Sequence, residues 1–205
     1  MKPAVLVIAK APAPGRVKTR LCPPCTPGQA AELARAALQD TLAAAGAAGA
    51  GRRVLVLDGA PGSWLPPGWE VVPQRGDGLA ERLAAAFADA GAPAFLVGMD
   101  TPQLTPGLIG AGLEALDAHD AAFGPAADGG YWGIGLRAAD RAVFAGIPMS
   151  EAFTGAAQRN RLAMLGLRTA ELPVLLDVDT IAAARSVAAD APHSLFAATL
   201  AEMAA

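Results

Sequence analysis

Apolar residues along this chain alternate between short continuous runs and longer stretches in which they recur at helical spacing. Ala4–Ala9 and Ala94–Gly98 are continuous apolar runs of strand length, typical of parallel strands that are buried on both faces. Thr26-Pro27 follows the first run and opens an Ala-rich stretch with a capping residue and a first-turn proline. This alternation predicts an α/β fold with a mostly parallel central sheet covered by helices on both faces.

The same reasoning assigns elements to the rest of the chain. Further helices are predicted from Asp77-Gly78, from Thr105-Pro106, across about 150–165 and at the C-terminal end. Further strands are predicted near 54–57, 69–72, 121–123, 131–136 and 168–172, with a tight Asp128-Gly129-Gly130 turn between two of them. No long linker separates these elements, so we expect residues 1–205 to form a single domain.

Composition and charge exclude several classes of function. The chain has 205 residues, 53% of them hydrophobic, which suits one domain with a large core. Its net charge of −3 argues against a general nucleic-acid binder. The apolar runs are far shorter than the roughly 20 residues that a bilayer requires, and the first run is too short for a secretory signal. We therefore expect a cytoplasmic protein that binds neither nucleic acid nor membrane.

Cys22 and Cys25 form a Cys-x-x-Cys pair in a proline-rich stretch. A thioredoxin-type site would need the first cysteine at a helix N-terminus within a βαβ unit. A structural zinc site would need four ligands, and neither His119 nor His193 has a suitable spacing to the pair. We interpret the pair as two thiols in a loop.

A basic segment, Lys10–Arg20, follows directly after the first predicted strand. It carries four cations, a glycine and a hydroxyl, namely Lys10, Arg16, Lys18, Arg20, Gly15 and Thr19. Loops at the carboxyl ends of parallel strands are the usual ligand sites of α/β sheets. Arginine forks match phosphate oxygens and lysines add mobile point charges, so we interpret the segment as a loop for a di- or triphosphate. A solvated basic surface loop is the alternative.

Two nucleotide-binding signatures do not fit. A P-loop has glycine directly before its lysine, whereas Val17 precedes Lys18-Thr19 here. Gly133-Ile-Gly135 resembles part of a dinucleotide fingerprint, but it lies late in the chain inside a predicted strand. We interpret these glycines as structural.

Asp100 stands immediately after the second buried strand, in Gly98-Met-Asp100-Thr-Pro102. At the ligand edge of the sheet, a carboxylate there could hold a hard cation such as Mg²⁺, which takes its other ligands from phosphate and water. An aspartate in this position is also often only a helix cap.

Four segments match, in order, the pattern of a known family. They are Lys10-Ala-Pro-x-Pro-Gly15-x-Val-Lys-Thr-Arg-Leu21, Gly98-x-Asp-x-Pro102, Gly124-Pro-x-x-Asp-Gly-Gly-Tyr131 and Asp177-Val-Asp-Thr180. Over about residues 3–185 the chain resembles the DUF2064 family, proposed glycosyltransferases of the GT-A-like nucleotide-diphospho-sugar transferase superfamily. The first loop and the Asp100 motif are also similar to those of 2-phospholactate and molybdenum cofactor guanylyltransferases.

The resemblance implies a Rossmann-like GT-A fold of three α/β/α layers that binds an NTP or an NDP-sugar along one sheet edge. It implies phosphates on Lys10–Arg20 and Mg²⁺ (or Mn²⁺) on Asp100, with Asp177 and Asp179 as further ligands. It assigns the nucleobase region to Gln74 and Gly78, and the acceptor region or the second metal shell to Asp128, Gly130 and Tyr131. Two simpler interpretations stay open, because carboxylates at 177 and 179 also favour a helix start and the Asp128 turn also suits a plain hairpin.

One position departs from the family pattern. Family members usually carry Pro-Trp-Ser where this chain has Pro148-Met149-Ser150. Methionine fills apolar space but offers no flat stacking face, so the departure bears on substrate preference.

Three functional hypotheses follow. The leading one is nucleotidyl transfer from an NTP to a small acceptor with release of pyrophosphate, in which Lys18, Arg20 and Asp100 act on the reacting phosphates. The second is glycosyl transfer from an NDP-sugar, although enzymes of that type commonly present Asp-x-Asp where this chain has Asp100-Thr-Pro102. The third is a non-catalytic nucleotide-binding regulator.

Overall fold

The computed structural model describes residues 2–204, in which seven strands form one mixed sheet. The strands are β1 (Ala4–Lys10), β2 (Arg52–Asp58), β3 (Glu70–Pro73), β4 (Ala94–Gly98), β5 (Ala121–Pro125), β6 (Tyr131–Leu136) and β7 (Thr169–Glu171). Their order across the sheet is β3-β2-β1-β4-β6-β5-β7. Strands β1 to β4 are mutually parallel, β6 is antiparallel to both its neighbours, and β7 pairs parallel with β5.

Six helices accompany the sheet within the described part of the chain. They are α1 (Pro27–Ala47), α2 (Leu79–Ala90), α3 (Pro106–Ala118), α4 (Thr154–Met164), α5 (Ile181–Asp190) and α6 (Leu195–Ala204). Threonine side chains cap α1, α3 and α5 by accepting a backbone N–H three residues ahead. None of the helices in residues 2–204 combines the length and apolar character needed to cross a membrane.

The core lies on both faces of the sheet, as the continuous apolar strands predicted. Successive residues of β1 point to opposite faces: Val5 and Val7 pack in one cluster with residues of α1 and α3, and Leu6 packs in another with residues of α2. A third cluster joins α1 to α5 and α6. The predicted three-layer α/β/α fold with a mostly parallel sheet is confirmed.

Two element boundaries differ from those predicted. Helix α4 begins at Thr154 rather than near Ser150, because Ser150 has a φ of +64° that a right-handed helix excludes. The Thr154 hydroxyl fixes the preceding loop by donating to the Pro148 carbonyl and accepting the Glu151 amide. The C-terminal stretch is two helices, since Asp40 of α1 accepts the amides of Leu195 and Phe196 at the start of α6.

The cysteine pair lies in the loop before α1. Cys22 and Cys25 are both free. Burial, and secondarily the neighbouring Cys22, raises the pKa of the Cys25 thiol. A raised pKa keeps this thiol protonated, which agrees with the interpretation of the pair as unreactive loop residues.

Gly133 and Gly135 have a packing role in the centre of the sheet. They lie on β6, and a β-carbon added at either position would approach the Phe95 ring to 2.8 Å. A β-carbon added at Gly112 of α3 would approach the same ring to 2.6 Å. These glycines therefore make room for Phe95. Packing around this ring accounts for the Gly133-Ile-Gly135 pattern, and no dinucleotide site is needed to explain it.

We expect Gly135→Ala to lower the free energy of unfolding by about 1–3 kcal/mol, because its methyl group overlaps Phe95 in a close-packed core. Urea denaturation measures this change. Gly110→Ala is the control: it lies on α3 with no atom nearer than 3.8 Å to an added β-carbon, so it should leave stability unchanged or raise it slightly. Equal effects of the two substitutions would contradict the packing role.

Candidate functional site

A cleft of about 970 Å³ opens at the carboxyl ends of β1 and β4. The predicted site residues in its lining are Lys10, Arg16, Lys18, Thr19, Arg20, Gln74, Gly78, Asp100, Asp128, Gly130, Tyr131, Asp177 and Asp179. Gly15 is not among the lining residues; its φ of +76° instead shapes the turn that carries Arg16 into the lining. The fold therefore brings residues from five separate parts of the sequence to one sheet edge.

Lys18 links the basic loop to the carboxylates across the cleft. Its backbone adopts the left-handed conformation, with φ at +49°, which is costly for a non-glycine residue. Its side chain is only 5% exposed, and its ammonium lies 2.5 Å from Asp100 Oδ1. The same ammonium donates to the Val178 carbonyl. The strained backbone thus delivers a buried cation to the centre of the site.

The segment after β7 meets the end of β4 beside this lysine. The Val178 amide donates to the Asp100 carbonyl at 2.9 Å. Thr101 Oγ1 donates to Asp177 Oδ1 at 2.8 Å. The Thr101 side chain therefore fixes the Asp177 carboxylate at the end of β4, although the two residues are 76 positions apart in the sequence.

Asp177 is the most perturbed carboxyl group of the site. Burial raises its pKa to about 6, and the hydrogen bond from Thr101 opposes that change. The negative charges of Asp100 and Asp128 raise the pKa further, whereas Lys18 lowers it. The carboxylates of Asp100 and Asp128 thus lie close enough to Asp177 to raise its pKa, and the Lys18 ammonium acts on that pKa in the opposite direction.

This donor set fits a hard divalent cation that brings further ligands of its own. Within residues 2–204, no group of three or more His, Cys, Asp or Glu side chains is arranged to hold a metal ion by itself. Asp100 and Asp177 nevertheless line the same cleft, close enough for the Asp100 charge to act on Asp177, and Mg²⁺ normally completes such a pair of carboxylates with water and phosphate. Asp100 is not a helix cap, because Thr105 caps the helix that follows it.

Arg20 and Asp179 form the outer edge of the cleft. Arg20 is exposed and donates to Asp179 Oδ2 at 2.8 Å. Asp179 is thereby held by a cation, in contrast to the buried Asp177. Thr180 caps α5 by accepting the Ala183 amide.

Gln74, which the resemblance assigned to the nucleobase region, makes its side-chain hydrogen bonds with the protein itself. Its side-chain amide donates to the carbonyls of Ala9 and Val56, at 2.8 and 3.3 Å. Its oxygen accepts from Arg82 at 3.2 Å. All of these contacts are internal, so in this structure Gln74 braces the ends of β1 and β2. Arg82, one helical turn after Gly78, lines the cleft and was missed by the sequence reasoning.

The opposite wall is built from a turn packed against a loop. Asp128 Oδ1 accepts the Gly130 amide at 2.9 Å, and Gly129 lies so close to Ala152 that an added β-carbon would be 1.8 Å from its carbonyl oxygen. The turn therefore requires glycine, beyond the needs of a plain hairpin. The loop contributes Glu151 to the lining, which nothing in the local sequence pattern had indicated.

Tyr131 and Met149 meet on this wall. Met149 lines the cleft and packs, like Tyr131, against the core cluster beneath the sheet. The Tyr131 hydroxyl is 3.9 Å from Met149 Sδ, a weak partner. Burial strongly raises the pKa of Tyr131, so its hydroxyl stays protonated. Methionine thus fills apolar space in place of the usual tryptophan, as expected.

Comparison with known proteins places this site in a family. The model of the family described as "Uncharacterized protein conserved in bacteria (DUF2064)" matches residues 30–151. A crystal structure from Desulfovibrio desulfuricans G20, of a protein proposed to be a nucleotide-diphospho-sugar transferase, is 30% identical with a TM-score of 0.86. The match covers 98% of this chain and 94% of that one. No curated protein matches the chain.

Two further solved structures share the fold. Rv0371c from Mycobacterium tuberculosis H37Rv, in complex with manganese, is 26% identical with a TM-score of 0.55 over 91% of this chain and 97% of that one. A nucleotidyl transferase from Methanothermobacter is 15% identical with a TM-score of 0.60 over 91% of this chain and 96% of that one. The fold is therefore that of nucleotidyl and nucleotide-diphospho-sugar transferases.

We expect Asp177→Asn to stabilise the metal-free protein at neutral pH. The folded carboxyl has a pKa of about 6 against an ordinary value of 3.8, so its ionisation opposes folding as pH rises through that interval. The asparagine variant should be more stable by about 1–3 kcal/mol at neutral pH. This difference should vanish below about pH 4, where the carboxyl is protonated in both states.

Urea denaturation in EDTA across this pH range measures the difference. Asp117→Asn, at an exposed position on α3, is the control and should show no such pH dependence. A constant difference between Asp177→Asn and the wild type at all pH values would contradict the perturbed ionisation.

Proposed function

The chain belongs to the DUF2064 family, and we propose that it is a divalent-metal-dependent transferase acting on a nucleotide. The proposed reaction is nucleotidyl transfer from an NTP to a small acceptor, with release of pyrophosphate. The contact between Lys18 and Asp100 carries this proposal, because it joins a phosphate-type basic loop to a metal-type carboxylate in one cleft. The manganese complex of Rv0371c supports the choice of a divalent cation.

The basic residues hold and stabilise the phosphates in this proposal. An acceptor oxygen forms a bond to the α-phosphorus while the bond to pyrophosphate breaks. Lys10, Lys18 and Arg20 neutralise the charge that develops on the departing pyrophosphate. Such chemistry depends on positioning and charge rather than on a protein nucleophile, and no serine, cysteine or histidine triad is required.

Asp100 and Asp177 are the proposed metal ligands. A bound divalent cation supplies charge neutralisation at the phosphates. Asp179 is better placed to orient Arg20, with which it already pairs. A cation held by Asp100 would compete with Lys18 for this carboxylate, so we propose that the Lys18 ammonium moves from Asp100 to the phosphates when the nucleotide binds.

Glycosyl transfer from an NDP-sugar is the second candidate. The 30% identical protein from Desulfovibrio desulfuricans, proposed to be a nucleotide-diphospho-sugar transferase, favours it. Against it, the position two residues after Asp100 is Pro102, and the second carboxylate comes instead from Asp177 beyond β7. The number of cations in the loop favours a triphosphate over a diphosphate.

A panel of Mg²⁺-NTPs and NDP-sugars, measured by thermal shift and calorimetry, separates these candidates. We expect the melting temperature to rise with at least one NTP, by an amount set by its concentration relative to its Kd. Asp100→Asn should remove most of the Mg²⁺-dependent part of the shift, and the exposed Asp117→Asn should retain it. Stabilisation by sugar nucleotides alone would overturn nucleotidyl transfer.

Lys18→Met should lower pyrophosphate release by about 100-fold or more, because a positioned charge at the leaving group is lost. Arg35→Met is the matched control, since Arg35 is exposed on α1 and pairs only with Glu32 among the described residues. Unchanged release in the Lys18 variant would refute the phosphate role of the loop.

The same Lys18→Met variant should bind Mn²⁺ more tightly than the wild type when no nucleotide is present. Removing the ammonium frees Asp100 Oδ1 for the cation, and we expect about a tenfold gain, equivalent to roughly 1.4 kcal/mol. Electron paramagnetic resonance titration measures it directly. Weaker Mn²⁺ binding would show that Lys18 and the cation do not share the carboxylate.

A further inference from the structure

The cleft divides into two halves that differ in charge. The first half, which we call the phosphate half, contains all five cations of the lining, namely Lys10, Arg16, Lys18, Arg20 and Arg82, together with the carboxylates of Asp77, Asp100, Asp177 and Asp179. The second half, which we call the acceptor half, consists of the lining residues within 128–133 and 149–154. Its charged members are Asp128 and Glu151, and among the described lining residues it contains no lysine or arginine.

The two carboxylates of the acceptor half are not neutralised by the surrounding protein. Among the ion pairs within residues 2–204, none includes Asp128 or Glu151. Arg159 stacks on the Phe123 ring and pairs with Glu171 outside the lining. Asp128 also adds to the negative charge felt by Asp177. The acceptor half is therefore a region of negative potential.

A neutral hydrogen-bonding group on the same wall provides a second, independent observation. Tyr131 is largely buried and lines the cleft, yet among residues 2–204 its hydroxyl has only the Met149 thioether, at 3.9 Å, as a hydrogen-bond partner. A hydroxyl so placed can both donate to and accept from a ligand. Tyr131 lines the same half of the cleft as Asp128 and Glu151, whose carboxylate oxygens only accept, and this combination matches the hydroxyl groups of a polyol or sugar.

The wall is also held in a fixed shape. Gly155 donates its amide to the Gly129 carbonyl at 2.8 Å, and Gly129 itself packs against the backbone of Ala152. Glu151 is tied through its amide to Thr154. These contacts would have to break before an anionic acceptor could push the loop, and with it Glu151, aside.

We infer that the acceptor half binds an uncharged polyhydroxyl compound, and that Asp128 and Glu151 discriminate against phosphorylated acceptors. This inference rests on the proposed function, which requires an acceptor. It narrows the acceptor from any small molecule to one with uncharged hydroxyl groups. The phosphates of the nucleotide lie with the cations, and the hydroxyl groups of the acceptor donate to the two carboxylates. Repulsion from the two carboxylates excludes an acceptor whose own phosphate group would lie in this half.

Ligand-observed NMR titration tests the inference without requiring turnover. The probes are matched pairs, glycerol with glycerol 3-phosphate and glucose with glucose 6-phosphate, added to the full chain with Mg²⁺ in saturating tripolyphosphate. The tripolyphosphate occupies the phosphate half, so the pairs report on the acceptor half. We expect the neutral member of at least one pair to bind at least tenfold more tightly than its phosphate.

Charge variants locate the effect. Glu151→Lys should reverse the preference towards the phosphorylated member by at least tenfold, and Glu151→Gln should narrow it without reversing it. Glu114→Lys, an equal charge change at an exposed position of α3, should leave it unchanged. Circular dichroism confirms that each variant is folded.

Tighter binding of the phosphates by the wild type would overturn the inference, as would binding of neither member. A preference that Glu151→Lys leaves unchanged would also overturn it. Nucleotide binding in the panel described above is measured separately. Selective polyol binding without nucleotide binding would therefore support the acceptor half while refuting the proposed transferase.

Discussion

The contact between the Lys18 ammonium and the Asp100 carboxylate is the interaction on which the site depends. It joins the loop after β1 to the end of β4, and through the Val178 carbonyl it also joins the segment after β7. A buried ammonium needs such partners, since desolvation of an unpaired charge is costly. The left-handed backbone at Lys18 is maintained because these contacts offset its strain. Three distant segments thus become one cleft.

Charge then divides that cleft into a half that holds all five cations of the lining and a half whose charged residues are both acidic. The parallel strands bring the basic loop and Asp100 to one sheet edge, and the hairpin of β5 with antiparallel β6 brings the Asp128 turn to the same edge, on the opposite wall of the cleft. Reversal of one strand places a hairpin turn at an edge that otherwise holds loops between parallel strands. The mixed sheet therefore provides two chemically different walls, which suits a transferase that must distinguish its donor from its acceptor.

Much of this arrangement could be predicted from the sequence, and the exceptions have physical causes. The buried strands, the threonine caps and the basic loop leave local signals in composition and spacing. The insertion of β6 between β4 and β5 and the pairing of Asp177 with Thr101 depend on contacts between distant segments, which no local pattern records. Glu151 was missed for the same reason, because it is presented by a loop whose shape depends on Gly129.

A crystal structure with a non-hydrolysable NTP analogue and Mn²⁺ tests the central claim most directly. The account predicts anomalous density for manganese between Asp100 and Asp177, with the Lys18 ammonium moved from Asp100 onto the phosphates. It also predicts the phosphates against the Lys10–Arg20 loop and an open acceptor half beside Asp128 and Glu151. A nucleotide bound elsewhere, or bound with Lys18 still on Asp100 and no metal at the carboxylates, would contradict it.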